Sequence, residues 1–259
     1  MSIISVKDLQ VHYQLEGLDS GPVLVLVNSI ATDLSVWDDV VTGLQNTFRI
    51  LRYDVRGQGQ TTVTEGPYSI ETLAKDLIGL IDALGVEKVS ICGLSLGAMV
   101  GMWLATNCSE RIERLILCNT AAHVGPPESW DARAGAVIDR GMEAIRPAVL
   151  ERWLSSEFVS AGGARMNKVL GMALGSPVAG YIGACAAIRD MDQRESIRAI
   201  PVPTLVVAGS SDAATPVADA RFIADTIPGA IFTELPGGHL SNVEQPVRLS
   251  TAIRGFLLA

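Results

Sequence analysis

The sequence predicts an α/β protein: a mostly parallel central sheet, flanked by helices and interrupted by a helical insertion. Three observations predict it. Short apolar runs at 23–27, 48–53, 89–92, 115–118 and 204–208 are the continuous kind expected of strands buried on both faces. Helix-period segments lie between several of them, the alternation of a covered parallel sheet. One junction, Gly93-Leu94-Ser95-Leu96-Gly97, turns an apolar run straight into a helical one through two glycines. With 259 residues, 48% of them apolar, the chain can bury one large core.

The first extended runs, 3–6 and 11–15, have no helix between them and read as an antiparallel hairpin leading into the sheet. VLVLV at 23–27 is the next strand, and 48–53 follows. A helix is expected from Ser69, a good N-cap, through Leu73, Leu77, Leu80, Ile81 and Leu84 at spacings of three and four, stopping at Gly85. The strand at 89–92 feeds an uncharged helix, and the strand at 115–118 ends beside Asn119. From 121 to 200 no strand pattern occurs. Ala, Gly, Met and Trp recur there at helical spacing, and Ser176 is expected to N-cap a helix with Pro177 in its first turn. Pro201 and Pro203 close that segment, so 1–120 and 201–259 read as the core and 121–200 as a helical cap. The sheet resumes at 204–208 and has a last strand near 231–235, before a final helix over about 243–258.

Composition narrows the function. Twenty Lys and Arg against 28 Asp and Glu give a formal charge of −8, against nucleic acid as a partner, because phosphate binding needs clustered basic residues. Cys92, Cys108, Cys118 and Cys185 are too sparse for a disulfide scaffold and show no metal-ligand spacing, so they read as free thiols. With no apolar segment of signal-peptide length near Met1, the cytoplasm is the expected compartment. The uncharged stretches 89–109 and 169–188 approach membrane-spanning length, but internal Gly, Ser and Pro make buried soluble helices the expected reading, with no membrane partner. No ligand cluster or phosphate-binding loop occurs, so no metal or organic cofactor is expected. Oligomeric state has no signature.

The Gly93–Gly97 junction carries the chemistry. Glycine at both ends permits a turn sharp enough to expose Ser95, and the first amides of the following helix lie beside it, suited to a developing oxyanion. A serine hydroxyl needs a base. Of His12, His123 and His239, the last follows the final strand in Pro236-Gly237-Gly238-His239, at the end of the sheet where sites form. An orienting carboxylate is supplied by Asp212 after the strand at 204–208, with Asp219 as fallback, read as solvent-facing two turns into the next helix. The order serine, acid, histidine is that of α/β-hydrolases.

The chain resembles that superfamily over its full length, through 93–97, the Asp54-Val55-Arg56-Gly57-Gln58-Gly59 loop, the Asp212 loop and the Gly-Gly-His239 loop. Within it the chain is most similar to the 3-oxoadipate enol-lactonases, through Asn28-Ser29-Ile30 with Asp33 and Trp37, Met99-Val100-Gly101 after the serine motif, Cys118-Asn119-Thr120-Ala121, and Trp130 with Arg133. It departs at Ile30-Ala31 and Ala98, where the family resembles Leu-Gly and Gly. The resemblance implies an oxyanion hole from the backbone amides of Ile30 and Leu96. It also implies a small anionic lactone as substrate, of the kind met in aromatic-ring catabolism. An acidic protein needs a local cation for such an anion; Arg133, one helical turn from Trp130, is the first candidate, with Arg140, Arg152, Arg165, Arg189 and Arg194 as competitors. The same triad serves carboxylesterases and carbon–carbon bond hydrolases, which only the cap pocket separates. A ligand receptor built on a hydrolase scaffold is the alternative of another class.

Overall fold

The computed structural model describes residues 2–259. Eight strands form one sheet: β1 (Ser2–Val6), β2 (Leu9–Gly17), β3 (Val23–Val27), β4 (Arg49–Tyr53), β5 (Val89–Leu94), β6 (Ile112–Cys118), β7 (Thr204–Gly209) and β8 (Ile231–Leu235). Their spatial order is β1-β2-β4-β3-β5-β6-β7-β8. β2 pairs antiparallel with β1 and β4, and every other neighbouring pair is parallel. β5 and β7 are buried along their whole length, as continuous apolar runs require. The order of strand addition reverses at β3, with all three strands parallel: β4 lies on one side of β3, and β5 on the other. That switch point is where an open α/β sheet leaves a crevice at its carboxyl edge.

Three helices precede the insertion: α1 (Asp38–Thr42), α2 (Ile70–Ala83) and α3 (Leu96–Asn107). Ser69 caps α2 by accepting from the Thr72 amide at 3.1 Å, and Leu73, Leu77, Leu80 and Ile81 bury one face of it. Between β6 and β7 the chain forms α4 (Pro127–Arg140), α5 (Arg146–Ala148), α6 (Ser156–Ala161), α7 (Ala164–Gly175) and α8 (Val178–Arg189). α9 (Val217–Thr226), α10 (Ser241–Glu244) and α11 (Pro246–Leu258) complete it.

The structure departs from the sequence reading at several boundaries. β5 continues through Gly93 and Leu94 because Gly93 pairs with both Val27 and Leu117, so the strand delivers the chain directly to residue 95. The final helix is two helices, since Pro246 has no amide to donate and starts a new one after Gln245. Ser176 does not N-cap α8. It follows α7 and donates to the Met172 carbonyl at 3.1 Å, while Pro177 takes the N-cap position. Among the described residues no single helix is long and apolar enough to cross a membrane; α7 and α8 reach that length only as a pair bent by 93°.

α8 is held against the core by missing side chains. A Cβ on Gly180 would collide with the Gly57 carbonyl, and one on Gly183 with the Tyr68 ring, while the Tyr68 amide donates to the Gly183 carbonyl at 3.3 Å. The insertion therefore docks closely on the 54–68 loop.

Candidate active site

β5 and α3 meet at Ser95, whose backbone is forced to φ 52°, ψ −112°. A non-glycine residue there is strained, and the glycines around it make the turn possible. A Cβ on Gly93 would strike the backbone of Gly97, and one on Gly97 would strike the Val27 carbonyl. The start of α3 thus lies against the end of β3, beside the 28–34 loop.

That loop is pinned at several points. Asn28 Nδ2 donates to the Thr32 carbonyl at 2.6 Å, Thr32 Oγ1 donates to the Ser29 carbonyl at 2.9 Å, and the Leu34 amide donates to Asp54 at 2.7 Å. Within it, Ile30 is buried and Ala31 has φ 55°. The amides of Ile30 and Leu96 donate to no protein acceptor among the described residues. Two free amides at the mutually braced ends of β3 and β5 suit a developing oxyanion.

Asp212 lies in the loop after β7, and His239 in the loop after β8. His239 Nδ1 is 2.8 Å from Asp212 Oδ2, with both residues buried. Burial acts to raise the Asp212 pKa, but the charge and hydrogen bond of His239, with donors from Thr215 and Asn119, outweigh it and hold the carboxyl below its ordinary value. An ionised carboxylate only accepts, so the proton sits on Nδ1 and Nε2 is left as the basic atom. No hydrogen bond joins Ser95 Oγ to His239 among the described residues; such links commonly tighten only with substrate bound.

Ser95 and His239 line one cavity of about 320 Å³, with Ile30, Trp130, Arg133 and Arg152 on its walls. The Arg133 guanidinium lies 4.6 Å from the centre of the Trp130 ring, and the indole donates to the Val124 carbonyl at 3.0 Å. Leu96 is buried at the start of α3, so its backbone amide rather than its side chain is what it can offer the site. Of the other histidines, His12 pairs with Asp54 at 2.7 Å and His123 lies 3.1 Å from the Met191 carbonyl.

The family model for the alpha/beta hydrolase fold matches residues 22–172. The chain belongs to the α/β-hydrolases. It is 32% identical to 3-oxoadipate enol-lactonase 2 of Acinetobacter baylyi over 254 residues, covering 98% of this chain and 95% of that one. Among solved structures it is similar to the enol-lactonase from Burkholderia xenovorans LB400, at 37% identity and TM-score 0.97 with 100% of both chains covered. It is also similar to a thermophilic esterase from Thermogutta terrifontis with malate bound, at 30% identity and TM-score 0.92, covering 99% and 97%.

Two residues of this α/β-hydrolase site had no functional role in the sequence reading. Asn119, at the end of β6 with φ 49°, donates through Nδ2 to Asp212 at 3.0 Å and to the Gly238 carbonyl at 3.2 Å, and accepts from Ser241 at 2.5 Å. It ties the acid loop to the histidine loop. Glu244 on α10 accepts from the Gly238 amide at 3.2 Å, and from the Ser155 amide and hydroxyl at 2.8 and 2.6 Å. The available signal for Asn119 was its place directly after a strand, in Cys118-Asn119-Thr120-Ala121, which marks the residue but not its partners; Glu244 had none. Asp219 is half-buried in the first turn of α9, not solvent-facing and two turns in, because that helix starts only at Val217. Burial, then the charge of Asp212, raises its pKa.

Proposed function

We propose that this hydrolase opens a small anionic enol-lactone, of the 3-oxoadipate type, through a serine acyl-enzyme. The observation that carries this is the cavity itself: Ser95 and His239 share it with Arg133, stacked on Trp130 and paired with no carboxylate among the described residues. A nucleophile and base set beside an unneutralised cation suit an ester that carries a carboxylate at a fixed distance.

Ser95 Oγ attacks the lactone carbonyl as His239 Nε2 takes its proton, and the Asp212 carboxylate stabilises the imidazolium. The tetrahedral oxygen forms between the amides of Ile30 and Leu96, donors of a kind worth about 3–4 kcal/mol of barrier each. The acyl carbon–ring oxygen bond then breaks, His239 returns the proton to the departing enol oxygen, and the enol becomes a ketone. Water, deprotonated by His239, attacks the acyl-enzyme and leaves a second carboxylate with Ser95 restored. The relatives named as enol-lactonases support the substrate class, and the esterase solved with malate supports an anionic ligand.

The test is turnover of freshly generated 3-oxoadipate enol-lactone beside p-nitrophenyl acetate, with Ser95→Ala as control. The lactone should be consumed orders of magnitude more efficiently than the ester, and only by the serine form. A preference for the ester would retain the triad chemistry and refute the lactone assignment.

A further inference from the structure

The cations of the cap fall into two sets. Arg146, Arg165, Lys168, Arg189, Arg194 and Arg198 each pair with a carboxylate. Arg133, Arg140 and Arg152 pair with none among the described residues, and of these Arg133 and Arg152 line the active-site cavity. Arg152 stands at its exposed rim. Its Nε and Nη2 lean on the Ala213 carbonyl at 3.4 and 3.3 Å, one residue beyond Asp212 and next to Ala214 and Thr215 on the cavity wall. The residue is carried on a single π-type turn, Val149–Trp153, whose Trp153 also lines the cavity. Such wide turns occur frequently at functional sites.

Partial burial, then the charge of Arg133, holds the Arg152 pKa below its ordinary value, against the opposing charge of Asp212. Two guanidiniums lining one cavity, neither ion-paired with a carboxylate among the described residues, repel each other, and Asp212 is already engaged by His239; a bound anion relieves that repulsion. In a chain of formal charge −8 this is a local inversion of sign, placed at the mouth of the cavity that holds both Ser95 and His239.

We propose that Arg152 is a second anion-binding residue and that the cavity takes a dianion, one carboxylate on Arg133 and the other on Arg152. The proposal rests on the ring-opening reading above. The lactone brings one carboxylate, and hydrolysis creates a second at Ser95, in the cavity whose wall carries Thr215, His239 and Arg152. Substrate thus engages one arginine and the ring-opened product engages both, so product and dicarboxylates of similar length compete with substrate for the site.

The test is titration calorimetry of adipate, a six-carbon dicarboxylate, and hexanoate, its monoanionic counterpart. Both are titrated into the native chain, Arg152→Gln, Arg133→Gln and Arg140→Gln, at low ionic strength and at 0.15 M salt. Adipate should bind the native chain about tenfold or more tightly than hexanoate, as one added charge-assisted contact allows. Arg152→Gln should abolish that preference while leaving hexanoate unchanged. Arg133→Gln should weaken both acids, and Arg140→Gln, which removes the same charge away from the cavity, should weaken neither. Equal affinity for the two acids, or an Arg152→Gln variant that weakens both alike or neither, overturns the proposal. If adipate preference depends on Arg152 but the enol-lactone is not turned over, the dianion site stands and the lactonase reading fails.

Discussion

Replacing Asn119 by Ala removes three hydrogen bonds at once: to Asp212, to the Gly238 carbonyl and from Ser241. The first is donated to a charged carboxylate and contributes about 1.5–3 kcal/mol, and the two neutral ones about 0.5–1.5 kcal/mol each. Ala also tolerates φ 49° less well than Asn. A stability loss of about 3–5 kcal/mol is expected, equivalent to some 6–20 °C in melting temperature for a chain of this size. The effect on Asp212 has a definite sign. Its folded pKa lies below the unfolded value, so its stabilising contribution is present above the unfolded pKa and is lost as pH falls through the folded one. Losing one donor raises the folded pKa and reduces that contribution. The variant should therefore lose stability at neutral pH, by an amount that shrinks as the carboxyl protonates below about pH 4. Urea unfolding followed by tryptophan fluorescence at pH 7 and pH 3.5 measures this, with kcat on the lactone recorded alongside. A loss under 1 kcal/mol, or one independent of pH, would refute the role given to Asn119.

Three further outcomes are expected. Arg133→Ala should raise KM for the anionic lactone about ten- to a hundredfold, with kcat/KM for p-nitrophenyl acetate unchanged in the same preparation. Gly97→Ala drives a Cβ into the Val27 carbonyl and separates the two amide donors, so kcat should fall about a hundredfold in steady-state assays while KM changes little. Asp76→Ala removes two charge-assisted contacts of 2.7 Å from the buried Arg56 guanidinium and leaves it Thr64 at 3.0 Å and Asp8 at 3.4 Å; chemical denaturation should show a loss of about 3 kcal/mol, with turnover of the folded fraction retained.

The sheet was legible in the sequence because its inner strands are apolar on both faces. β2 was read too short because Gln10 on one side and Glu16 with Gly17 on the other end its apolar alternation, although the strand pairs along both edges. Ser95 was legible because two glycines bracket it at a change of period, and Asp212 and His239 because each follows a strand. Asn119 and Glu244 act across separations of 93 and 89 residues, through contacts that no local pattern encodes. The pairing state of the cap arginines was hidden for the same reason, since Arg165 and Lys168 find their carboxylates in Asp39 and Asp38, on α1.

Glu244 grips Gly238 with one oxygen and Ser155 with both, and the Leu240 amide reaches the Trp153 carbonyl at 3.0 Å, so the residues on either side of His239 are sutured to the cap turn that carries Arg152. His239, the proposed base, is consequently mounted on the door frame rather than on the floor of the room. In the mechanism proposed above, a widening of the mouth would therefore pull on the imidazole, so that admission of substrate and placement of the base would share one mechanical coordinate.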